Sequence, residues 1–359
     1  MAGIIIKIMK MGIAAEAEQP SIESDGGLGT AAIVATTLSL LLAATLLLLL
    51  RSKPASLTLT PILQMYRALL RAKKGGFGSF LAALEGDDTK WSEPTSKSVE
   101  LSLPIAARWF RSAAGDGDRA ATLPLAVILA LFDEVSTIGM MQHDKSHRAG
   151  VSVLLSTSVD GDQHARYDAL AAGERVTVSS RSRRIGRTLG FCDCTLTDRD
   201  GVVLVRGEHV KFMPSAGRVW DLLFGTVLYA TTVRFVTWWL GRGAPSPHSS
   251  SSQDDREEGD NFAAAFPHRD DAKFKVERVH HNVAGVCHGG AVAIAAAEAM
   301  QSAQAAEGTV ARSLRVVYLS ASKGMVDIAV ESAGGSEVRA VVRRGKGGTE
   351  CATVRATFA

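Results

Sequence analysis

Asn282-Val283-Ala284-Gly285-Val286-Cys287-His288-Gly289-Gly290 is the stretch on which the reading of this chain turns. An apolar run from Gly290 to about Ala305 follows it, so the pattern predicts a long helix whose first turn is made of glycine. A helix N-terminus presents unpaired backbone N–H groups and the positive end of the helix dipole, which suits an oxygen gaining negative charge. Gly289, without a Cβ, lets such an oxygen come close.

Working outward, a short strand is predicted before this segment, at Ala272 to Val279, and four after it. These are Arg312 to Leu319, Gly324 to Ala333, Ser336 to Arg343 and Cys351 to Phe358. The same order stands earlier in the chain. Lys97 to Ala107 alternates weakly, and Leu123 to Met141 is a long apolar helix containing Asp133 and Glu134. Strands follow at Gly150 to Val159, Glu174 to Arg184, Thr188 to Asp198 and Val202 to Phe212, divided by glycine-containing turns at Gly186 and Gly201. A helix followed by an antiparallel meander, occurring twice, implies an α+β fold built on an internal duplication. The expected units are 58–214 and 261–359.

The 359 residues suffice for two domains with cores of their own. Lys+Arg 40 against Asp+Glu 37 gives a net charge of +3, which argues against a nucleic-acid partner. Cys192, Cys194, Cys287 and Cys351 form no Cys-x-x-Cys pair, so neither a disulfide framework nor structural zinc is expected. Cys192 and Cys194 share one face of a strand and read as packing residues. His280 and His281 read as strand-end residues, not ligands. No glycine-rich nucleotide fingerprint and no serine nucleophile elbow is present.

After a tail over 1–25, Gly26 to Leu50 carries no charge and ends in a leucine run, long enough for a transmembrane anchor. Arg51, Lys53, Arg67, Arg71, Lys73 and Lys74 follow it, against Lys7 and Lys10 before it, so the positive-inside bias puts the bulk of the chain in the cytosol. Pro61 to Lys74 reads as a basic amphipathic helix. Within 215–260, Trp220 to Leu240 reads equally as a surface-packed helix or as a segment in the membrane interface, and Gly243 to Asp260 as a disordered linker.

Three stretches of the first half, Phe132-Asp133-Glu134-Val135-Ser136-Thr137, Ala149-Gly150-Val151-Ser152-Val153 and Gly186-Arg187-Thr188-Leu189-Gly190-Phe191, resemble the PaaI-like acyl-CoA thioesterases of hotdog fold. The Asn282-to-Gly290 segment resembles the same family's Asn-to-His-Gly-Gly segment, which opens the central helix. The resemblance implies two tandem hotdog units, each a long helix wrapped by an antiparallel sheet, paired as an intramolecular pseudo-dimer. It implies hydrolysis of acyl-CoA to free acid and coenzyme A, with no cofactor and no metal. Gly289 and Asn282 would hold the thioester carbonyl and His288 would shape the turn. Asp133 would activate water as general base, or serve as nucleophile, with Ser152 holding the water. Arg183, Arg184 and Arg187 would meet coenzyme A phosphates, although a solvated turn explains each as well.

The family's acid falls nine positions after its motif histidine; nine after His288 is Ala297, and nine before Asp133 is Pro124. Each half therefore lacks what the other retains, and one composite site per chain is expected. The mirror-related site would hold Pro124, Leu125 and Ala297 and would be inactive unless Glu298, one position from the expected acid, supplies the missing carboxylate. A non-catalytic acyl-binding or membrane scaffold protein is the main rival. A hotdog hydratase is a weaker one, since that chemistry needs an Asp and His pair placed differently. The acyl chain length, the membrane and whether the chain forms a homo-oligomer are not legible in these residues.

Overall fold

The computed structural model describes 89–92, 97–110, 123–214 and 262–359, apart from short internal stretches, together with Leu63, Phe77 and Leu81. The expected anchor over 26–50, the basic helix over 61–74 and the segment over 215–260 lie outside the described residues, Leu63 excepted. The strands are β1 (Lys90–Trp91), β2 (Ser98–Pro104), β3 (Val151–Val159), β4 (Arg175–Ile185), β5 (Leu189–Thr197) and β6 (Val203–Phe212), then β7 (Lys273–Lys275), β8 (Ala311–Tyr318), β9 (Met325–Ser332), β10 (Glu337–Arg344) and β11 (Glu350–Phe358). Two long helices, α1 (Leu125–His143) and α4 (Gly289–Ala303), accompany two short ones, α2 (His164–Asp168) and α3 (Phe262–Ala265).

All eleven described strands join one antiparallel sheet in the order β1-β2-β4-β5-β6-β3-β8-β11-β10-β9-β7. From the middle outward, β3-β6-β5-β4-β2 on one side matches β8-β11-β10-β9-β7 on the other. Each side has a strand before its long helix and four after it, in the same spatial order. The seam is β3 against β8, running from Leu154 opposite Val317 to Ser158 opposite Ser313.

The helix α1 packs on β2 to β6, α4 packs on β8 to β11, and the two helices touch. This double cover explains why α1 lacks a polar face: sheet and helix bury it from opposite sides, and Val127, Leu129, Ala130, Leu131 and Phe132 are all fully buried. Each large apolar side chain removed from water in this way contributes about 1.5–3 kcal/mol. Among the described helices α1 alone is long and apolar enough to cross a membrane, and it lies inside the protein. The helices meet closely because Gly290 has no side chain; a Cβ there would stand 2.5 Å from the Cβ of Ala130.

Candidate active site

The burial that stabilises α1 also encloses two carboxylates, Asp133 at 4% exposure and Glu134 at 2%. Buried charge requires compensation, and each acid finds it on a different element. Asp133 Oδ1 accepts a hydrogen bond from Ser152 Oγ on β3 at 3.0 Å. Lys211 Nζ on β6 lies 3.6 Å from the same oxygen and donates to Thr137 Oγ1 at 2.6 Å. Oδ2 of Asp133 faces the other half of the chain, 3.7 Å from His288 Nδ1. Glu134 Oε1 pairs with His288 Nε2 at 2.8 Å.

His288 is the N-cap of α4. Its Nδ1 accepts the backbone N–H of Gly290 at 3.0 Å, so that nitrogen carries the lone pair and Nε2 the proton directed at Glu134. Phe77 stacks on the imidazole with ring centroids 4.7 Å apart, fixing its plane. Burial disfavours a second proton on His288, but the Glu134 carboxylate, with Asp133 behind it, outweighs burial and raises its pKa above the ordinary imidazole range. For Asp133, burial pushes the pKa up. Lys211, then His288 and His209, and the Ser152 hydrogen bond pull it further the other way, well below the usual carboxylate range.

A second histidine lies behind Ser152. His209 on β6 is fully buried, with Nε2 3.0 Å from Ser152 Oγ and Nδ1 against Ser136 Oγ. Burial and the nearby Lys211 charge push its pKa down to about 3, so it is neutral at neutral pH. Since the Ser152 hydroxyl proton is directed at Asp133, Ser152 accepts from His209 Nε2–H, while His209 Nδ1 faces Ser136 Oγ, which also lies against the Phe132 carbonyl. The result is a directed chain of donors from His209 through Ser152 to Asp133.

Gly289 completes the arrangement. A Cβ at this position would stand 3.1 Å from Asp133 Oδ2 and 3.1 Å from both Cζ and the hydroxyl of Tyr318, the last residue of β8. The first turn of α4, the acid of α1 and the end of β8 therefore converge on one point. Of the residues anticipated from sequence, Asp133, Ser152, His288 and Gly289 come together here. Asn282 Oδ1 accepts the Val286 N–H at 3.3 Å within the turn that leads into α4. Arg183 is exposed and pairs with Asp193 at 3.1 Å and Glu208 at 2.9 Å, while Arg184 and Arg187 are exposed near the β4–β5 turn. All four cysteines are free and buried.

Residues 65–213 match the family model described as acyl-CoA thioesterase C-terminal domain. Solved structures similar to the chain include an acyl-ACP thioesterase from Bacteroides thetaiotaomicron, with 10% identity over 73% of this chain and 98% of that one at a TM-score of 0.46. The 12:0-ACP thioesterase of Umbellularia californica is similar at 14% identity over 73% and 97%, TM-score 0.44. Zebra fish thioesterase superfamily member 2 is similar at 23% identity over 44% and 99%, TM-score 0.35. No curated protein matches the sequence. The matched stretch carries Asp133, Ser152, His209 and Lys211, and the His288-Gly289 helix start lies beyond it.

Sequence reading missed His209, Lys211 and Tyr318. Alternation along β6 does put 205, 207, 209 and 211 on one face, but Val210 and Phe212 make the opposite face look equally suited to a core. The inward direction is set by what α1 needs: a cation and a donor beside its buried acid. Tyr318 was hidden for another reason, since it approaches Gly289 only through the packing of α4 against β8, elements separate in sequence.

Proposed function

We propose that the chain hydrolyses acyl-CoA thioesters to free acid and coenzyme A at one composite site between two tandem hotdog units. The observation that carries this reading is the position of Asp133 Oδ2, beside the first residue of α4 and 3.7 Å from the His288 cap. An acid from one half thus stands where a carbonyl held by the other half's helix N-terminus would meet an attacking water. Asp133 stays ionised throughout the neutral range. Its low basicity suits an orienting role, with proton transfer from water to carboxylate occurring only as the new C–O bond forms. Ser152, held by His209, fixes the carboxylate and the water. Collapse of the tetrahedral intermediate releases the coenzyme A thiolate, which takes up the proton.

Asn282 is assigned a second contact to the thioester carbonyl. Arg184 and Arg187 are assigned to coenzyme A phosphates in preference to Arg183, whose guanidinium is already paired with two acids. The run over 26–50 is assigned as a single membrane anchor with the catalytic bulk in the cytosol, which resistance of the expressed full chain to alkaline extraction from membranes would support.

The direct test is thiol release from acyl-CoA substrates of graded chain length by the full chain and by Asp133→Ala. Hydrolysis by the wild type and its loss in the variant are expected. Absence of turnover at every length, with acyl-CoA still bound, would instead favour the non-catalytic acyl-binding protein.

A further inference from the structure

The hydroxyl of Tyr318 is fully buried and has no hydrogen-bond partner. A buried O–H without a partner loses its hydrogen bonds to water and gains none in return, which natural proteins rarely leave uncompensated. This one lies 3.1 Å from the point where a Cβ of Gly289 would stand, and the Asp133 carboxylate lies 3.1 Å from the same point. Burial, with the Asp133 charge adding to it, raises the phenol pKa well above its ordinary value, so the group keeps its proton at any physiological pH and acts only as a neutral donor. A protonated donor beside the first residue of a helix, with nothing to donate to in the free protein, has the properties of a preorganised oxyanion contact.

We infer that Tyr318 is a catalytic residue whose phenol O–H, together with the Gly289 backbone N–H, receives the negative charge that develops on the thioester oxygen. The inference rests on the thioester-hydrolase reading above. As water adds to the carbonyl carbon, the C=O π pair moves onto oxygen and the water proton passes to Asp133. Tyr318 and Gly289 hold that oxygen until the pair returns, the C–S bond breaks and the thiolate takes the proton from Asp133. No proton leaves Tyr318 at any stage. The residue belongs to the second half, like Gly289, so the carbonyl-binding contacts come from 261–359 and the water-directing ones from 58–214.

The test is Tyr318→Phe in the full chain, compared with wild type and Asp133→Asn. Loss of the hydroxyl is expected to lower kcat by about 10²-fold with KM within about threefold, and to leave Tm unchanged or raised because an unpaired polar group is gone. Binding separates a structural role from a catalytic one. An acyl-CoA analogue bearing a trifluoromethyl ketone, which hydrates to a tetrahedral mimic, should bind Tyr318→Phe at least tenfold more weakly, while a thioether analogue without a carbonyl should bind both proteins equally. Wild-type kcat in Tyr318→Phe, with activity lost in Asp133→Asn, would overturn the Tyr318 role and leave the hydrolase reading standing. No thiol release by the wild type would overturn both.

Discussion

The two long helices begin in opposite ways, although each follows a strand and precedes four more. The helix α1 starts after Pro124, in extended conformation with no side-chain cap, and carries Asp133 and Glu134 further along. The helix α4 starts after His288, whose ring caps the first turn, and has Ala297 at the position where an acid is expected. The difference teaches that the two long helices carry complementary groups, a capped glycine start on one and a buried acid on the other, which meet where the helices touch. His288 at the start of α4 and Asp133 within α1 face each other across the helix contact.

The largest effect should come from removing the acid. Asp133→Ala is expected to lower acyl-CoA turnover by about 10³-fold or more, whereas Glu298→Gln, at the mirror-related position, should leave thiol release within about twofold of wild type. Equal losses would break the comparison. Gly289→Ala comes next, since its Cβ would stand 3.1 Å from Asp133 and Tyr318; about 10²-fold in kcat is expected with the fold retained. The counterpart at the start of α1, Leu125→Ala, should instead cost about 2–5 kcal/mol of stability by leaving a cavity, read as a lower Tm.

Lys211→Met probes the cation that holds Asp133 ionised. Removing one member of a buried pair is expected to cost about 3–5 kcal/mol. It should also raise the Asp133 pKa and so move the acidic limb of the kcat/KM profile to higher pH. An unmoved limb would mean that Asp133 does not control it. The smallest effect concerns the histidines, whose linkage has opposite signs. His209 takes its proton only near pH 3 in the folded state, against an ordinary 6.5, so its stability contribution is intact above about 6.5 and is lost as pH falls toward 3. His288, with a raised pKa, contributes stability that is present below 6.5 and lost as pH rises through its folded value. Denaturant unfolding from pH 4 to 6.5 should show a shallower slope in His209→Gln, by up to about 1.4 kcal/mol per pH unit.

Much of the fold was legible. The helix expected over Leu123 to Met141 runs from Leu125 to His143, and the eight main strands begin and end within two residues of their expected limits. The short helices α2 and α3 and the two-residue β1 were not foreseen, because segments this short carry too few residues to show a period. Asp133, Ser152, His288 and Gly289 could be named from motifs because each sits at a recognisable spacing within its own half. Neither the strand face carrying His209 and Lys211 nor the reach of Tyr318 has a local signature.

The sequence by itself determined which segments are helix and strand, that their order repeats, and which half holds the acid and which the glycine helix start. Hydrophobic period, turn glycines and motif spacing are local properties, and a chain cannot form these elements without displaying them. Tertiary structure alone decided which residues compensate Asp133, which tautomers His209 and His288 adopt, and that Tyr318 ends beside Gly289 with an unused donor. Those outcomes depend on the packing of each long helix against its strands and on the close contact of α1 with α4. These bring together residues distant in the sequence in a buried space where each charge and donor must be answered by whatever group lies across from it.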